Sequence, residues 1–217
     1  MQPNGMIFWD WNGTLLDDVD FTHGCLNWML KTHGYPQRYD LNEYREIFGF
    51  PIEEYYVRAG FDFVRHPYPE LAARFMEHYN AGVEQHCPAM AHAADTLAKL
   101  QRQGWQQAVL SASRRDYLIE QVHARGLEGY FTELLGLQDI YGVSKVQVGK
   151  EWLAQSSLDP AACVMVGDTT HDAEVAAAMG TKCVLCTRGH QSCARLEAVC
   201  PNVIDDLSEL PGVLERL

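Results

Sequence analysis

Two acidic segments, one near each end of the chain, follow short apolar runs that are typical of buried strands. Asp10 comes directly after Met6–Trp9, and Asp168 and Asp172 follow the apolar run 163–166. Because the carboxyl ends of parallel strands open into one crevice, segments far apart in sequence can share a site there. Carboxylate oxygens are the ligands that a hard cation such as Mg²⁺ prefers. The spacing therefore predicts one metal site built from both ends of the chain.

Each segment also has a simpler interpretation when it is taken alone. Asn12-Gly13 is a common pair in tight turns, so Asp10 could be a solvated turn residue. Asp168 or Thr169 could cap the helix that follows. Capping explains one polar residue, but it does not explain two carboxylates that converge where a strand becomes a helix.

A third segment has the chemistry to bind phosphate. Ser111-Ala112-Ser113 follows the apolar run 108–110 and precedes a predicted helix, so its N–H groups and a hydroxyl face the same crevice. Ser113 could equally cap that helix. Lys145, in a predicted loop before the segment 149–155, can bring a positive charge to the crevice, whereas Lys150 is expected to face solvent.

The composition limits the classes of partner. The 217 residues are 47% hydrophobic, enough for a core, and 17 Lys and Arg oppose 29 Asp and Glu, for a net charge of −12. This charge repels polyanions, so nucleic acid is not an expected partner. We find neither an apolar run long enough to span a membrane nor an export signal. With seven Cys in no regular framework, the sequence predicts a cytoplasmic protein.

Some of those cysteines are spaced like metal ligands. Cys183, Cys186, Cys193 and Cys200, together with His190, suggest zinc at first sight. However, Cys183 and Cys186 flank a short strand on which they face opposite sides. Buried cysteines acting as small hydrophobic residues are therefore the favoured interpretation.

The order of the predicted elements favours an α/β fold with a doubly wound parallel sheet, Rossmann-like, and an inserted helical domain. Helical patterns fill the segment from about residue 19 to 83, and from about residue 91 helices alternate with short strands. We expect a core formed by residues 1–17 and 84–217, and a small helical cap formed by residues 18–83.

Together these segments resemble the haloacid dehalogenase-like superfamily, in particular its Mg²⁺-dependent phosphatases with a helical cap. The matching motifs are Asp10-Trp11-Asn12-Gly13-Thr14, Ser111, Lys145, and Gly167-Asp168 with Asp172. The likeness covers nearly the whole chain. It is closest to phosphoglycolate-phosphatase-like members and reaches Gly189-His190-Gln191-Ser192.

The resemblance implies a role for each matching residue. Asp10 would be the nucleophile that becomes an aspartyl phosphate on reaction with a small phosphorylated metabolite. The implied Mg²⁺ ligands are Asp10, the main-chain carbonyl of Asn12, Asp168 and Asp172. The implied phosphate ligands are Ser111, Ala112 and Lys145. Charge cancellation by the metal and Lys145 is what an anionic nucleophile needs to approach phosphate.

Asn12 departs from the family pattern, which has an acid/base Asp at this position. An amide does not exchange protons usefully, and loss of such help costs roughly 10² to 10⁴ in rate. Three interpretations remain, in order of preference. The first is a phosphatase that uses another acid, such as His23 or His171, or substrates with good leaving groups. The others are a catalytically weak phosphate binder and a dehalogenase, whose halide leaves without a proton.

The predicted cap also holds a cluster of aromatic and basic residues around the Gly49-Phe50-Pro51 break. These side chains either line the entrance to the crevice or form the core and surface of the cap. They are Arg45, Phe48, Phe50, Tyr55, Tyr56 and Arg58.

Overall fold

A six-stranded parallel sheet forms the centre of the structure. The computed structural model describes residues 5–138 and 144–217. The strands are β1 (Met6–Trp9), β2 (Gln106–Arg114), β3 (Glu133–Leu137), β4 (Val164–Gly167), β5 (Lys182–Cys186) and β6 (Val203–Ile204). Their order is β3-β2-β1-β4-β5-β6, and every adjacent pair is parallel. The predicted sheet is confirmed, although the sequence analysis missed β3.

Helices cover both faces of this sheet. They are α1 (Val19–Thr32), α2 (Leu41–Ile47), α3 (Ile52–Arg58), α4 (Tyr68–His86), α5 (Ala93–Arg102), α6 (Arg115–Ala124), α7 (Lys145–Gln155), α8 (Thr170–Met179), α9 (Cys193–Glu197) and α10 (Leu210–Leu214). Side chains of β1 alternate between the two faces. Ile7 and Trp9 join the core that contains α5 and α6, whereas Met6 and Phe8 join the core that contains α7 and α8. The fold is therefore doubly wound.

Helices α1 to α4 form a helical insertion between β1 and α5, as predicted. This insertion has an apolar cluster of its own, rich in aromatic side chains such as Tyr44, Tyr55 and Tyr56. Helices α1 and α4 pack against each other, and Tyr79 and Val83 of α4 also reach the core beneath the sheet. The insertion is thus joined to the sheet by packing as well as by the chain.

Two local predictions need correction. Strand β2 continues through Ser111 and Ser113, and α6 begins only at Arg115 with Arg114 at its N-cap, so Ser113 does not cap that helix. Lys145 does not lie in a loop but opens α7, where the Ser144 hydroxyl accepts a hydrogen bond from the Gln147 N–H at 3.2 Å.

None of the helices in the two described ranges is both long enough and apolar enough to cross a membrane.

Candidate active site

The three adjacent strands β2, β1 and β4 bring the predicted site residues to one edge of the sheet. Trp9 is in register with Val109 on one side and with Val166 on the other. Asp10 follows Trp9 and donates its N–H to the Val166 carbonyl at 2.8 Å, which aligns it with the end of β4. Side chains just beyond these strand ends therefore meet, although they lie far apart in the chain.

Three carboxylates converge in this crevice. Asp10, Asp168 and Asp172 each offer one oxygen, and these oxygens lie within 4.8 Å of one another. The Lys145 ammonium donates to Asp10 Oδ1 at 2.5 Å and to Asp172 Oδ1 at 2.6 Å. One buried cation thus faces three buried anions, so the cluster keeps an excess of negative charge.

Burial, together with this excess charge, shifts the pKa values of the three carboxyl groups. Burial, opposed by Lys145 and reinforced by Asp172, raises the pKa of Asp10 to about 6. Burial also holds the pKa of Asp168 well above its usual range, and the partial compensation by His190 does not offset it. The pKa of Asp172 is lowered despite burial because Lys145 and Thr169 stabilise its charge. A divalent cation would relieve the charge that remains on Asp10 and Asp168.

Lys145 stays protonated in this setting. Burial alone disfavours its ammonium form, but the adjacent Asp10 and Asp172 outweigh burial and raise its pKa. Lys150, five residues further along α7, is exposed to solvent, as predicted. Only Lys145 of these two residues can supply charge to the crevice.

Glycines allow the chain to approach Asp168 closely. A Cβ on Gly189 would lie 2.1 Å from the Asp168 Cβ, and one on Gly13 would lie 2.4 Å from its Oδ2. Gly13 also has a φ of +71°, a backbone conformation that residues other than glycine rarely adopt. The Thr14 hydroxyl donates to Asp168 Oδ1 at 3.0 Å, and the His190 N–H donates to Oδ2 at 2.7 Å.

The remaining oxygens suit a hard cation. Asp172 Oδ2 accepts the Thr169 N–H at 3.0 Å and the Thr169 hydroxyl at 2.7 Å, so its orientation is fixed. Within residues 5–138 and 144–217, no hydrogen bond reaches the carbonyl oxygen of Asn12. Carboxylates with a free carbonyl form an all-oxygen donor set that fits Mg²⁺.

The end of β2 adds hydroxyl groups beside the carboxylates. The pairing of β2 with β3 shifts register between Leu110 and Arg114, and Ser111, Ala112 and Ser113 lie in this irregular stretch. Ser111 is buried and accepts the Ser113 N–H at 3.0 Å, which leaves its own hydroxyl hydrogen available to a ligand. This arrangement suits an anion with several oxygens.

The side chain of Asn12 is fully engaged. Its Nδ2 donates to Asp18 Oδ2 and to the Tyr79 hydroxyl, both at 2.8 Å. Its Oδ1 accepts the Ser113 hydroxyl at 2.8 Å. Since Asp18 and Ser113 fix opposite ends of the amide, Asn12 is locked in one orientation.

Asp18 and His190 form a buried ion pair behind Asn12. Asp18 Oδ1 lies 3.2 Å from His190 Nε2 and accepts the Gly13 N–H at 2.8 Å, while Oδ2 accepts the Tyr79 hydroxyl at 2.6 Å. Although burial opposes ionisation, these partners lower the pKa of Asp18. Burial likewise opposes the charged form of His190, but Asp18 raises its pKa. Asp18 therefore remains a carboxylate.

The two proposed alternative acids have partners outside the acidic cluster. His23 Nε2 is 2.7 Å from the Tyr39 carbonyl within the helical insertion. The His171 ring faces Glu174 at 3.0 Å and stacks on Phe50, with ring centroids 4.6 Å apart. In contrast, sequence reasoning did not assign site roles to Asp18, Tyr79 or His190. The run Asp17-Asp18 and the likeness around His190 were the available signals.

Within residues 5–138 and 144–217, the cysteines do not cluster as metal ligands. Among the described residues, the Asp10, Asp168 and Asp172 group is the only one in which three or more His, Cys, Asp or Glu ligand atoms converge. Cys186 packs into the core on one face of the sheet and Cys183 borders the core on the other, as the alternation of a strand requires.

The aromatic cluster of the insertion is mostly core. Phe48, Tyr55 and Tyr56 are buried in its apolar cluster, whereas Phe50 is half-buried against His171. The two arginines bind main-chain carbonyls. Arg45 reaches Gly189 at 3.0 Å, across the boundary between insertion and sheet, and Arg58 reaches Ile47 at 3.0 Å within the insertion.

Comparison with known proteins decides the family. The model of haloacid dehalogenase-like hydrolases matches residues 7–186, most of the chain. The chain belongs to this hydrolase family. The family match includes all three converging carboxylates, Lys145 and Ser111.

Individual relatives also match most of the chain. It is 27% identical over 211 residues to a phosphoglycolate phosphatase of Synechococcus elongatus, covering 96% of this chain and 94% of that protein. It is 24% identical over 174 residues to the pyrophosphatase PpaX of Halalkalibacterium halodurans, covering 79% and 78%. A predicted phosphatase from Clostridium acetobutylicum has the same fold, with a TM-score of 0.83, 18% identity and coverage of 98% and 99%.

Proposed function

We propose that this chain is a Mg²⁺-dependent phosphatase that hydrolyses a small phosphomonoester through an aspartyl phosphate on Asp10. The observation that supports this function most strongly is the convergence of Asp10, Asp168 and Asp172 around Lys145. The relatives named as phosphatases support the same reaction class.

The proposed roles combine the family resemblance with the geometry of the cluster. Asp10, Asp168, Asp172 and the Asn12 carbonyl would hold the metal, which supplies positive charge to the phosphate oxygens. The Ser111 hydroxyl and the Ala112 backbone would bind phosphate oxygens, and the Lys145 ammonium would neutralise charge as the two anions approach.

Two displacements complete the reaction. A carboxylate oxygen of Asp10 attacks phosphorus, the bond to the leaving oxygen breaks, and the Asp10 acyl phosphate forms. Water then attacks the same phosphorus, the bond to Asp10 breaks, and inorganic phosphate leaves with Asp10 regenerated. A leaving alkoxide takes its proton from water, because the Asn12 amide cannot donate one usefully.

The fixed orientation of the Asn12 amide limits which substrates we propose. Both ends of its amide are occupied, and Asp18 beside it is held as a carboxylate, so neither residue supplies a proton. We therefore expect aryl phosphates and phosphoanhydrides, whose leaving groups depart as stable anions, to react faster than alkyl phosphates. The PpaX relative, named as a pyrophosphatase, is consistent with an anhydride substrate.

A catalytically weak phosphate-binding protein is the second candidate. The same locked amide favours it, because the acyl phosphate also lacks a base that activates water. A dehalogenase ranks third, since a set of three carboxylates and a lysine suits a metal and phosphate better than a halide.

The helical insertion would act as a cap in this proposal. We assign residues 18–83 to the cap and the two flanking segments to the core, so that the cap excludes water from the crevice during chemistry. We also place the protein in the cytoplasm, on the basis of its seven Cys without a regular framework.

The test is phosphate release from a chromogenic aryl phosphate with and without Mg²⁺. We expect Mg²⁺-dependent turnover that falls by roughly 10⁴ or more in Asp10→Asn, because the nucleophile is lost. Asp17→Asn, at an exposed neighbouring carboxylate, is the matched control and should retain activity. Activity that persists in Asp10→Asn would contradict the assignment.

A second pair of variants tests the ammonium group. Lys145→Met should lower turnover by roughly 10² to 10³, as loss of one preorganised charge in a buried site does. Lys150→Met, on the same helix but exposed, should match the unmodified protein. Equal losses in the two variants would show that the Lys145 charge has no special role.

A further inference from the structure

Two consecutive residues after β5 connect the carboxylate crevice to the helical insertion. His190 and Gln191 are 3% and 0% exposed. Neither residue belongs to the acidic cluster, yet each is hydrogen-bonded both toward that cluster and toward the insertion. This double attachment is the feature that the proposed chemistry leaves unexplained.

His190 connects Asp168 to α2. Its N–H donates to Asp168 Oδ2 at 2.7 Å, and its ring Nδ1 lies 2.7 Å from the Tyr44 hydroxyl on α2. The ring also stacks on Phe48, with centroids 4.7 Å apart and an interplanar angle of 28°. A displacement of α2 would remove both contacts from the residue that orients Asp168.

Gln191 connects α8 to the loop after α2. Its Oε1 accepts the N–H of Thr170, the first residue of the helix that carries Asp172, at 2.8 Å. Its Nε2 donates to the Phe48 carbonyl at 3.1 Å. The two partners fix the orientation of the amide, because an N–H can only donate and a carbonyl can only accept.

The arginines at the same boundary have a different role. Arg195 donates to the carbonyls of Arg45 and Phe48 at 2.8 and 2.6 Å, and Arg58 donates to Ile47. These carbonyls lie at the C-terminal end of α2, where main-chain acceptors lack partners within the helix. The arginines therefore stabilise the end of α2 without contacting Asp168 or Thr170.

We propose that His190 and Gln191 are positioning residues that couple docking of the helical insertion to the geometry of Asp168 and Asp172. When the insertion is docked, Tyr44 and Phe48 hold both residues against the acidic crevice. When the carboxylates are drawn together around a cation, the same bonds favour the docked insertion. Coupling of this kind is reciprocal, so metal binding must stabilise the docked state. The inference rests on the proposed Mg²⁺ site but not on phosphatase turnover.

The test is hydrogen exchange of the full chain with and without Mg²⁺, read in peptides that cover residues 41–58. We expect Mg²⁺ to slow exchange there as well as around residues 168–172. Gln191→Met keeps the approximate volume, removes both amide bonds, and should reduce the effect in residues 41–58, because only the His190 connection remains. It should also raise the Mg²⁺ dissociation constant about tenfold, as loss of a group that supports metal ligands does.

Tyr44→Phe provides a milder variant that removes one hydroxyl. It should weaken Mg²⁺ binding by a factor of about 2 to 10, the value of one hydrogen bond, and should reduce the slowing in residues 41–58. Tyr39→Phe is the matched control, because the Tyr39 hydroxyl donates to Ala59 at 3.1 Å within the insertion. It should behave like the unmodified protein.

Calorimetry with Mg²⁺ alone and phosphate release keep the two proposals apart. A protein that binds Mg²⁺ and releases phosphate, but whose residues 41–58 exchange equally with and without Mg²⁺, would overturn the coupling. Wild-type behaviour of both Gln191→Met and Tyr44→Phe would also overturn it. A protein that shows the exchange effect but releases no phosphate would contradict the proposed function and support the coupling.

Discussion

A single buried carboxylate, Asp18, lies near the cluster of Asp10, Asp168 and Asp172, and the surroundings of the two differ. Asp18 is paired with His190 and accepts hydrogen bonds from Asn12, Gly13 and Tyr79, and its pKa is lowered. Asp10 shares the Lys145 ammonium with Asp172, whereas Asp168 accepts hydrogen bonds from the Thr14 hydroxyl and the His190 N–H. The pKa values of Asp10 and Asp168 are raised. Burial alone therefore does not identify a metal site. A carboxylate whose charge the protein has not compensated is the one prepared for a cation.

The largest effect on stability should come from removing Asp18, whose charge is compensated by His190. Asp18→Ala leaves His190 buried without its anion and should lower the free energy of unfolding by about 3 to 5 kcal/mol. The exposed Asp17→Ala should change it by less than about 0.5 kcal/mol. Denaturant unfolding measures both. Equal stability of the two variants would mean that the Asp18 and His190 pair contributes little.

The next prediction concerns variants in which the amide of Asn12 and the carboxylate of Asp18 are exchanged. Asn12→Asp alone places two carboxylates at the 2.8 Å separation that Asn12 and Asp18 now have, and they cannot both ionise freely. The double variant Asn12→Asp with Asp18→Asn restores an amide opposite a carboxylate. We expect it to raise turnover of alkyl phosphates by roughly 10² or more, because an acid then occupies position 12.

Steady-state rates on matched alkyl and aryl phosphates check this exchange. Unfolding measurements show whether Asn12→Asp alone is less stable than the double variant. A double variant that folds normally but gains nothing on alkyl phosphates would exclude position 12 as the limiting site.

The affinity of the cluster of Asp10, Asp168 and Asp172 for Mg²⁺ should depend on pH. The raised pKa of Asp10, about 6, means that below this pH Mg²⁺ must displace a proton from the carboxyl group. Affinity should therefore fall as pH drops through 6, by up to about tenfold per unit for each proton that the metal must displace. Calorimetric titrations across this range measure it. A constant affinity from pH 7.5 to about 5 would show that no proton competes with the metal.

The convergence of Asp10 and Asp168 could be predicted from the sequence. Apolar runs ending in Asp10 and Asp168 predict strand ends, and parallel strand ends converge for topological reasons. Lys145 was predicted as a site residue but was placed in a loop, although Ser144-x-x-Gln147 has the spacing of a helix capping box. Strand β3 was missed because it is only partly buried and has no regular alternation of apolar residues.

Other features depend on contacts that no local pattern encodes. Asp18 and His190 are 172 residues apart, and each looks like an ordinary polar loop residue in the sequence. The bonds of Gln191 depend on where α2 docks, which is set by the packing of the whole insertion. Only the tertiary structure shows that Asn12 is held by Asp18 and Ser113.

The central claim is that the uncompensated carboxylates, and not their compensated neighbour, bind the cation. Titration calorimetry of Mg²⁺ into the unmodified chain, Asp168→Asn and Asp18→Asn tests it directly. We predict one site in the unmodified chain, affinity lowered at least about tenfold in Asp168→Asn, and affinity within about threefold of the unmodified chain in Asp18→Asn. Unchanged binding in Asp168→Asn, or a complete loss confined to Asp18→Asn, would contradict the claim.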